Sequence, residues 1–201
     1  MKLTIIGASG HGKVVADTAK KCGYTEIEFL DDNQRLVFCG RYPVTGNSKA
    51  AFQKENEVFV AIGNPQIRKK FLDELYKKDI KVPTLIHPQA VVAEDTAIGM
   101  GTVVMAGAVI NPGARVGKGC IINTGCSVDH DCKLEDYVHV SVGAHLCGSV
   151  TIDSLSWVGT GAIVINNVTI CGECMIGAGA VVIKDIDTPG TYIGIPAKKI
   201  T

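Results

Sequence analysis

The 201-residue sequence has no excess of charge of either sign, because 20 Lys and Arg residues balance 20 Asp and Glu residues. Nucleic acids and anionic membranes select strongly basic surfaces, so neither is an expected partner. No apolar run reaches the length of about 20 residues that spans a bilayer, and no charged-then-apolar leader opens the sequence. We therefore predict a soluble, cytoplasmic protein without a membrane insertion.

Disulfides and metal sites are also unexpected, although the chain has eight cysteines. Intracellular cysteines are mostly free thiols. Cys120, Cys126 and Cys132 fall at small, inward positions of the repeat described below, which is a packing role, and they lie too far apart to share a metal ion. Cys171-Gly-Glu-Cys174 resembles half of a zinc knuckle, but its two side chains are expected to face opposite ways. No metal is predicted.

A six-residue repeat is what the sequence does contain, and it runs without a gap from Ile86 to Asp187 as seventeen hexads. The first position of each hexad is aliphatic and the fifth is usually small. A period of six matches neither an α-helix nor a simple strand alternation. It is typical of a parallel β-helix, in which each hexad forms one face and eighteen residues form one triangular turn.

Residues eighteen apart should stack, so the outward sixth positions form three columns. The first face presents Val91, Val109, Ser127, His145, Ile163 and Val181, the second Ala97, Arg115, Lys133, Thr151, Thr169 and Asp187, and the third Val103, Ile121, His139, Trp157 and Met175. The first and third columns are largely apolar, and long exposed apolar columns indicate an interface. We predict a cyclic homotrimer, with the first face of each monomer packed on the third face of a neighbour.

Residues 1–85 have a different, βαβαβ pattern. The predicted elements are strands at Lys2–Ile6, Glu26–Leu30 and Glu57–Ile62, a helix from Val14 to Cys22, a short helix near Ser48–Lys54 and a helix at Gln66–Lys78. The segment that contains Pro43 is predicted as a loop. Such an order gives a small parallel sheet with helices on its faces, a half-Rossmann arrangement. After Asp187 the repeat ends, and Pro189 and Pro196 are expected to stop sheet hydrogen bonding and cap the coil.

A glycine-rich turn, Gly7-Ala-Ser-Gly-His-Gly12, joins the first strand to the first helix. Such a turn directs backbone N–H groups at an anion, and the acidic pair Asp31-Asp32, about 20 residues further on, suits ribose hydroxyls. The spacing is G-x-x-G-x-G rather than the dinucleotide G-x-G-x-x-G, and only one mononucleotide half is present. We therefore favour a nucleotide or nucleotide sugar as ligand; the alternative is a purely structural turn with a solvated Asp pair.

The pair His130-Asp131 occupies a corner of the predicted coil, at the outer mouth of the groove between subunits. Histidine suits general-base work near neutral pH, and an adjacent carboxylate orients the ring and raises its basicity. On its own, such a pair is also compatible with surface decoration. His139 and Trp157 of the neighbour are expected on the other wall. No serine or cysteine nucleophile lies obviously beside His130, which favours direct transfer over a covalent enzyme intermediate.

The full length of the chain resembles the bacterial nucleotide-aminosugar acetyltransferases of the sialic-acid O-acetyltransferase-like group, within the hexapeptide-repeat acyltransferases. The residues that carry the resemblance are Gly7-Ala-Ser-Gly-His-Gly12, Phe29-Leu-Asp-Asp32, Ala61-Ile-Gly-Asn64, Ile67-Arg-Lys-Lys70, Leu85-Ile-His-Pro88, Ile122-Asn-Thr124, His130-Asp131, Val138-His-Val-Ser-Val-Gly143 and Gly194-Ile-Pro-Ala-Lys-Lys199. The resemblance implies a left-handed parallel β-helix of hexapeptide repeats and a homotrimer. It also implies an acetyl-CoA-dependent N-acetyltransferase that acts on a nucleotide-linked amino sugar in bacterial surface glycan biosynthesis.

The resemblance further implies residue roles. His130 would be the general base and Asp131 the carboxylate that raises its basicity, although many relatives have Glu there. Acetyl-CoA would lie between adjacent coils and contact His139, Thr160, Ala178, Lys198 and Lys199. The nucleotide sugar would contact Ser9, Gly10, His11, Asp31, Asp32, Gly63 and Asn123. Residues 1–85 would then be the nucleotide-sugar-binding domain, and residues 86–201 the acetyltransferase domain with its C-terminal cap.

Two alternatives stay open. The first is an O-acetyltransferase acting on a sugar such as sialic acid, and the second is a non-catalytic scaffold whose N-terminal part only binds a nucleotide. The glycine turn and Asp31-Asp32 favour a nucleotide-linked acceptor. A UDP-linked 4-amino-4,6-dideoxy sugar is the first expectation, and the sequence itself leaves UDP, GDP and CMP open as the nucleotide. The intact His130-Asp131 pair argues against the scaffold.

Overall fold

The computed structural model describes residues 1–200. Its N-terminal part is a five-stranded sheet in the order β3-β4-β2-β1-β5, with β1 at Lys2–Ile6, β2 at Glu26–Leu30, β3 at Phe38–Cys39, β4 at Tyr42–Gly46 and β5 at Glu57–Val60. Helices α1 (Gly10–Lys21) and α2 (Pro65–Lys77) and a 3-10 helix (Ser48–Gln53) complete it. Within residues 1–200, no helix combines the length and the apolar character needed to cross a bilayer.

The hairpin β3–β4 corrects the prediction of a loop around Pro43. Strand β4 runs antiparallel to β3 and parallel to β2, and its register with β2 joins Phe29 to Val44 and Leu30 to Gly46. Pairing with β2 therefore begins one residue after Pro43, so the missing proline N–H interrupts no bond to β2. Pro43 made this segment look like a loop, although a proline is tolerated at that position of β4.

From Leu85 the chain winds as a left-handed parallel β-helix with three sheets. The first face consists of strands Val91–Val92, Val109–Ile110, Ser127–Val128, His145–Leu146, Ile163–Val164 and Val181–Val182. The second consists of Ala97–Ile98, Arg115–Val116, Lys133–Leu134, Thr151–Ile152 and Thr169–Ile170. The third consists of Leu85–Ile86, Val103–Val104, Ile121–Ile122, His139–Val140, Trp157–Val158 and Cys174–Ile176. Partners eighteen residues apart, such as Ile121 and His139, confirm the predicted columns. A boundary between an N-terminal domain of residues 1–85 and the coil of residues 86–201 remains a proposal.

The corners of the coil explain why glycine is frequent at the fourth hexad position. Gly107, Gly125 and Gly143 have φ angles of 69°, 64° and 61°, in the left-handed region that glycine enters without steric cost. Six side-chain-bearing residues at the same position also adopt left-handed φ angles, among them Asp131 at 58° and Tyr137 at 64°. Such a conformation is disfavoured for L-residues, and it persists here because the stacked coil fixes the corner.

The third sheet extends beyond the repeat, which corrects the expectation that Pro189 and Pro196 stop sheet hydrogen bonding. Gly190–Ile193 pairs parallel with Cys174–Ile176, and Lys198–Lys199 returns antiparallel to it. Pro189 precedes the first of these strands and Pro196 lies in the turn between them, so neither removes a ladder hydrogen bond. The C-terminal cap is thus a hairpin added to the third sheet.

The N-terminal part packs on the third face of the coil. Val103 and Ile121 are 0% and 1% exposed and share a buried cluster with Val15 and Ala16 of α1. The expectation that the whole third column awaits a neighbouring monomer is therefore wrong for these two residues. A five-stranded sheet this small cannot bury its helices alone, and it uses the nearest apolar surface of its own chain.

All eight cysteines are free thiols. The side chains of Cys171 and Cys174 were expected to face opposite ways, and this expectation is wrong. Their Sγ atoms lie 3.5 Å apart. The intervening Glu173 has a φ of 58°, and this tight corner turns both thiols to the same side. Within residues 1–200, no three His, Cys, Asp or Glu side chains are grouped so that they could hold a metal ion.

Candidate active site

A cavity of about 340 Å³ opens at the carboxyl ends of β1, β2 and β5, lined by Gly7, Ser9, Asp31, Asp32 and Gly63 among others. Ser9 is the N-cap of α1, with an extended backbone, and its side chain makes no capping hydrogen bond. The first N–H groups of an α-helix lack intrahelical partners and carry partial positive charge. The cavity therefore presents the chemistry that binds a phosphate group.

The three glycines of the turn have separate roles. A Cβ at Gly7, whose φ is 105°, would lie 2.7 Å from the carbonyl oxygen of Ala61, so only glycine allows the turn to pack against the end of β5. A Cβ at Gly12 would overlap the carbonyl of Gly7. Gly10 has nothing within 4 Å of its Cβ position, so it faces open space where a ligand could approach.

The acidic pair helps to build the cavity wall. Asp31 accepts hydrogen bonds from the Ala8 N–H at 2.7 Å and the Asn33 N–H at 2.9 Å. Asp32 accepts from the N–H of Ser48 at 2.9 Å and from its hydroxyl at 2.8 Å, and these bonds lower the pKa of Asp32. Both carboxylates are thus fixed in position by these hydrogen bonds. Each retains lone pairs, since a carboxylate accepts about four hydrogen bonds.

A cluster of rings joins the glycine turn to the third face of the coil. His11 and His139 have ring centroids 6.5 Å apart, and His139 stacks on Trp157 at 4.6 Å. Asn123 Nδ2 lies 3.2 Å from His139 Nε2. The prediction put His139 with acetyl-CoA and placed His11 and Asn123 with the nucleotide sugar. The structure brings these three residues into one cluster.

Both histidines of this cluster are held neutral. Burial lowers the pKa of His11 to about 4 and that of His139 to about 3, and the charge of Arg68 acts in the same direction. The Nε2 atom of His11 and the Nδ1 atom of His139 are buried without a hydrogen-bond partner in residues 1–200. Buried polar atoms are normally paired, so these two nitrogens are suited to a ligand or an ordered water.

The second predicted pair, His130 and Asp131, lies on an exposed corner between the first and second faces. His130 Nδ1 is 2.9 Å from Asp131 Oδ2, and their side chains are 60% and 66% exposed. The hydrogen bond to Asp131, and then the charge of Asp129, raise the pKa of His130. Asp129 in turn accepts from the His130 N–H at 2.8 Å and from Asn111 at 2.7 Å. This is the geometry of a histidine base oriented by a carboxylate.

Two glycines make room for this pair, and the sequence analysis missed them. A Cβ at Gly148, one coil turn above, would lie 2.5 Å from Nε2 of His130. A Cβ at Gly113, one turn below, would lie 2.6 Å from Oδ1 of Asp131. Residues at this corner stack eighteen apart, and that spacing was the signal that could have identified both.

The two halves of the predicted site do not meet within one chain. The glycine turn, His11 and His139 lie on or beside the third face, whereas His130 lies between the strands Ser127–Val128 of the first face and Lys133–Leu134 of the second. In a triangular coil this corner is opposite the third face, so the whole coil separates the two.

The remaining predicted residues are exposed along the coil. Thr160 and Ala178 lie one above the other at the corner between the third and first faces, where the Gly179 N–H donates to the Thr160 carbonyl at 2.8 Å. Lys198 and Lys199 lie exposed on the last strand of the C-terminal cap.

Comparisons with known proteins agree with this fold. Residues 2–75 match the PglD N-terminal domain family. The acetyltransferase domain of PglB from Neisseria gonorrhoeae FA1090 is 41% identical, with 99% of each chain covered and a TM-score of 0.95. Its complex with acetyl coenzyme A gives a TM-score of 0.96. The chain belongs to the PglD-like family of sugar N-acetyltransferases.

Two other PglD-like relatives are associated with different nucleotides, one through its bound ligand and one through its name. PerB from Caulobacter crescentus, solved with CoA and GDP-perosamine, is 36% identical, covers 100% of this chain and 98% of its own, and has a TM-score of 0.94. The UDP-N-acetylbacillosamine N-acetyltransferase of Bacillus subtilis (strain 168) is 38% identical over 106 residues. That match spans 50% of this chain and 49% of the relative, about half the length of each.

The predicted family and fold are confirmed by these comparisons. The predicted class of enzyme, an acetyl-CoA-dependent sugar acetyltransferase, is confirmed with them, because PglD-like relatives have been solved with acetyl coenzyme A and with CoA. The roles of individual residues in this PglD-like chain remain predictions.

Proposed function

We propose that this protein transfers the acetyl group of acetyl-CoA to the amino group of a UDP-linked 4-amino-4,6-dideoxy sugar, for bacterial surface glycan biosynthesis. The observation that carries the proposal is the exposed His130–Asp131 pair on the coil, with Nδ1 and Oδ2 2.9 Å apart. The N-terminal part of the same chain contains a cavity suited to a phosphate. The name of the B. subtilis relative supports UDP as the carrier.

The active site of this proposal lies between two copies of the chain in a homotrimer. The corner of His130 is opposite the third face of its own coil, so its base can only reach the glycine-turn cavity of a neighbour. The first face supports such packing, because Val91 and Ile163 are 64% and 37% exposed there, and Met175 of the third face is 37% exposed. Packing the first face on the uncovered part of the next monomer's third face, near Met175, would close a three-fold ring.

The nucleotide sugar would bind with its phosphates at the N-terminus of α1. The open space at Gly10 and the uncapped hydroxyl of Ser9 support this placement. Asp31, Asp32 and Gly63 would contact the nucleoside. The neutral rings of His11 and His139, together with Asn123, would then face the sugar and the acyl group.

The chemical step needs a base because an amine attacks a thioester only through its free lone pair. A hydrogen bond from Nδ1–H to Asp131 leaves the lone pair on Nε2 of His130, which would take the proton from the sugar nitrogen. A new N–C bond forms, the C–S bond breaks, and coenzyme A thiolate leaves. Asp131 would stabilise the imidazolium, as the carboxylate does in other His–carboxylate pairs.

Acetyl-CoA would lie along the corner of Thr160 and Ala178. Both residues are exposed there and stacked one coil turn apart, which leaves an open strip beside the third face. The exposed ammonium groups of Lys198 and Lys199 would contact its phosphates. We place the reaction in the cytoplasm, where free thiols such as those of this chain persist.

A thiol-release assay with acetyl-CoA and a panel of UDP-, GDP- and CMP-linked amino sugars tests the proposal, with mass spectrometry to locate the acetyl group. The expected result is release with a UDP-linked amino sugar and an N-acetylated product. Release with free sialic acid and with no nucleotide-linked amine would favour O-acetylation instead. The absence of release with every acceptor would refute catalysis.

A further inference from the structure

Arg68 is a fully buried cation at the junction between the N-terminal part and the coil, with 1% of its surface exposed. Its guanidinium donates four hydrogen bonds to carbonyl oxygens: to Ile62 at 2.8 Å, Gly63 at 2.7 Å, Gly119 at 2.7 Å and Tyr137 at 2.6 Å. Within residues 1–200 no carboxylate lies within ion-pair distance of it. An unpaired buried charge is costly, so its presence requires an explanation beyond packing.

The four carbonyls belong to three separate segments. Ile62 and Gly63 follow β5 and line the cavity at the glycine turn. Gly119 and Tyr137 are fourth-position residues of two successive coil turns, stacked at the corner between the second and third faces. A planar guanidinium with five fixed donors can reach all of them at once, which the single nitrogen of lysine cannot do. Arg68 therefore ties the cavity wall to the coil.

The position of that wall also sets the distance between the cavity and the ring cluster. A Cβ placed on Gly63 would be 3.8 Å from Cη2 of Trp157, and Trp157 stacks on His139 and donates to Ser141 at 2.6 Å. Moving Gly63 would therefore change the spacing between the cavity and His139.

We propose that Arg68 is a positioning residue for the nucleotide-sugar site, which holds the Ile62–Gly63 wall against the coil so that the cavity and the His11–His139 cluster form one binding surface. The proposal rests on the function proposed above only in naming the ligand as a nucleotide sugar. Arg68 itself does not line the cavity, so it acts through the residues that it holds.

The local sequence places Arg68 for this role. The side chain of Asn64 caps α2 by accepting from the Ile67 N–H at 3.0 Å, and the Asn64 carbonyl accepts from the Arg68 N–H at 3.0 Å. The first turn of α2 is therefore fixed beside the wall that Arg68 binds. The positive charge of Arg68 has a second effect. It lowers the pKa of His11 and of His139, and only burial lowers them more. Arg68 thus also helps to keep both rings neutral.

The test compares Arg68→Met, which removes the charge and all donors at similar length, with Arg68→Lys, which keeps the charge but not the planar set of five donors. Tyr137→Phe is the matched control, because it removes the hydrogen bond from the Tyr137 hydroxyl to Asp73 (2.8 Å) at the same junction but leaves the Tyr137 carbonyl in place. Affinity for UDP is measured by calorimetry, which requires no turnover. We expect both Arg68 variants to bind UDP about tenfold or more weakly and the control to stay within about twofold.

Histidine NMR separates the two effects of Arg68. In Arg68→Met the titrations of His11 and His139 should move to higher pH, whereas in Arg68→Lys they should stay near wild type. A merely structural role would lower stability in all three variants and leave UDP affinity in the folded fraction unchanged. Folded Arg68 variants with wild-type UDP affinity would overturn the proposal.

A measurement on the unaltered protein covers the case in which neither Arg68 variant folds. The Nε–H proton of Arg68 should exchange slowly with solvent in the ligand-free protein, because its bond to the Gly119 carbonyl is already formed. Exchange as fast as that of an exposed arginine would overturn the proposal. If the protein binds UDP but acetylates no nucleotide-linked amine, the proposed function fails while the role of Arg68 in binding stands.

Discussion

The Nδ1 atom of His130 lies 2.9 Å from Oδ2 of Asp131, at a corner where Asp131 adopts a φ of 58°. The left-handed backbone is disfavoured for a side-chain-bearing residue, and several other corners of the coil use glycine for it, such as Gly107 and Gly125. Glycines at positions 113 and 148 leave space for the two side chains above and below. The two glycines thus leave room for both side chains at the corner where a base is proposed.

Replacing His130 by alanine should lower kcat by about 10²- to 10⁴-fold, the usual contribution of a general base. The side chain is exposed and supports no buried contact, so the fold and the oligomer should be unaffected. Turnover is compared with the melting temperature and with mass from light scattering. Near wild-type turnover in a folded variant would remove His130 from the mechanism.

The pH dependence of kcat/KM should show the base directly. A raised pKa means that His130 stays protonated, and so inactive as a base, up to a pH above the ordinary histidine value of about 6.5. Activity should therefore rise with pH through an apparent pKa above that value. In Asp131→Asn the hydrogen bond from His130 to a charged partner is lost, so the pKa of His130 should fall. The acidic limb of the kcat/KM profile should then move to lower pH, and the maximal kcat/KM should decrease. An unmoved limb would show that another group titrates.

Gly148→Ala tests whether the corner positions the imidazole. The new methyl group would need the space of Nε2 of His130, 2.5 Å away, so the ring must move. Gly148 has no left-handed φ, so the backbone should tolerate alanine. We expect kcat to fall about tenfold or more with little change in melting temperature. Ser149→Ala, one residue further, is the control and should keep wild-type kcat.

Because two histidines are buried in the neutral form, the free energy of unfolding should fall as the solution becomes acidic. The folded pKa values of His11 and His139 are depressed to about 4 and about 3, so the unfolded chain binds more protons below its own histidine pKa of about 6.5. The contribution of the two histidines to the free energy of unfolding is complete above about pH 6.5. It is lost as the pH falls toward their pKa values in the folded protein. Urea unfolding at pH 7 and pH 5 should differ by roughly 1–2 kcal/mol for each histidine. A His139→Gln variant should show a smaller difference, and an equal one would contradict this explanation.

The hexad pattern was sufficient to predict the coil, because a period of six with buried first and fifth positions fixes both register and stacking. Ile121 pairs with His139, and His139 with Trp157, as the columns required. The strand β4 was missed because Pro43 is a poor strand residue whose tolerance depends on where pairing with β2 begins. That information lies in the partner strand rather than in the local sequence.

The junction between the two parts could not be predicted from the sequence. The burial of Val103 and Ile121 depends on how α1 docks on the third face, and docking is a long-range contact without periodicity. The role of Arg68 was not predictable either, since its four acceptors are backbone carbonyls that no side-chain pattern encodes. His130 could be predicted as a candidate base because it lies at a corner of the repeat directly before Asp131, and both features can be read from the sequence.

The central claim is that each active site combines His130 of one subunit with the cavity of another, and mixed oligomers test it most directly. His130→Ala removes the base, and Gly10→Glu puts a negative charge into the open space at the N-terminus of α1, where nothing lies within 4 Å. Each variant alone should be inactive. Co-expressed at equal levels, the two should recover about a quarter of wild-type activity, because random pairing unites one intact base with one intact cavity in that fraction of sites. If mixed oligomers form and no activity returns, the site lies within a single chain and the account is contradicted.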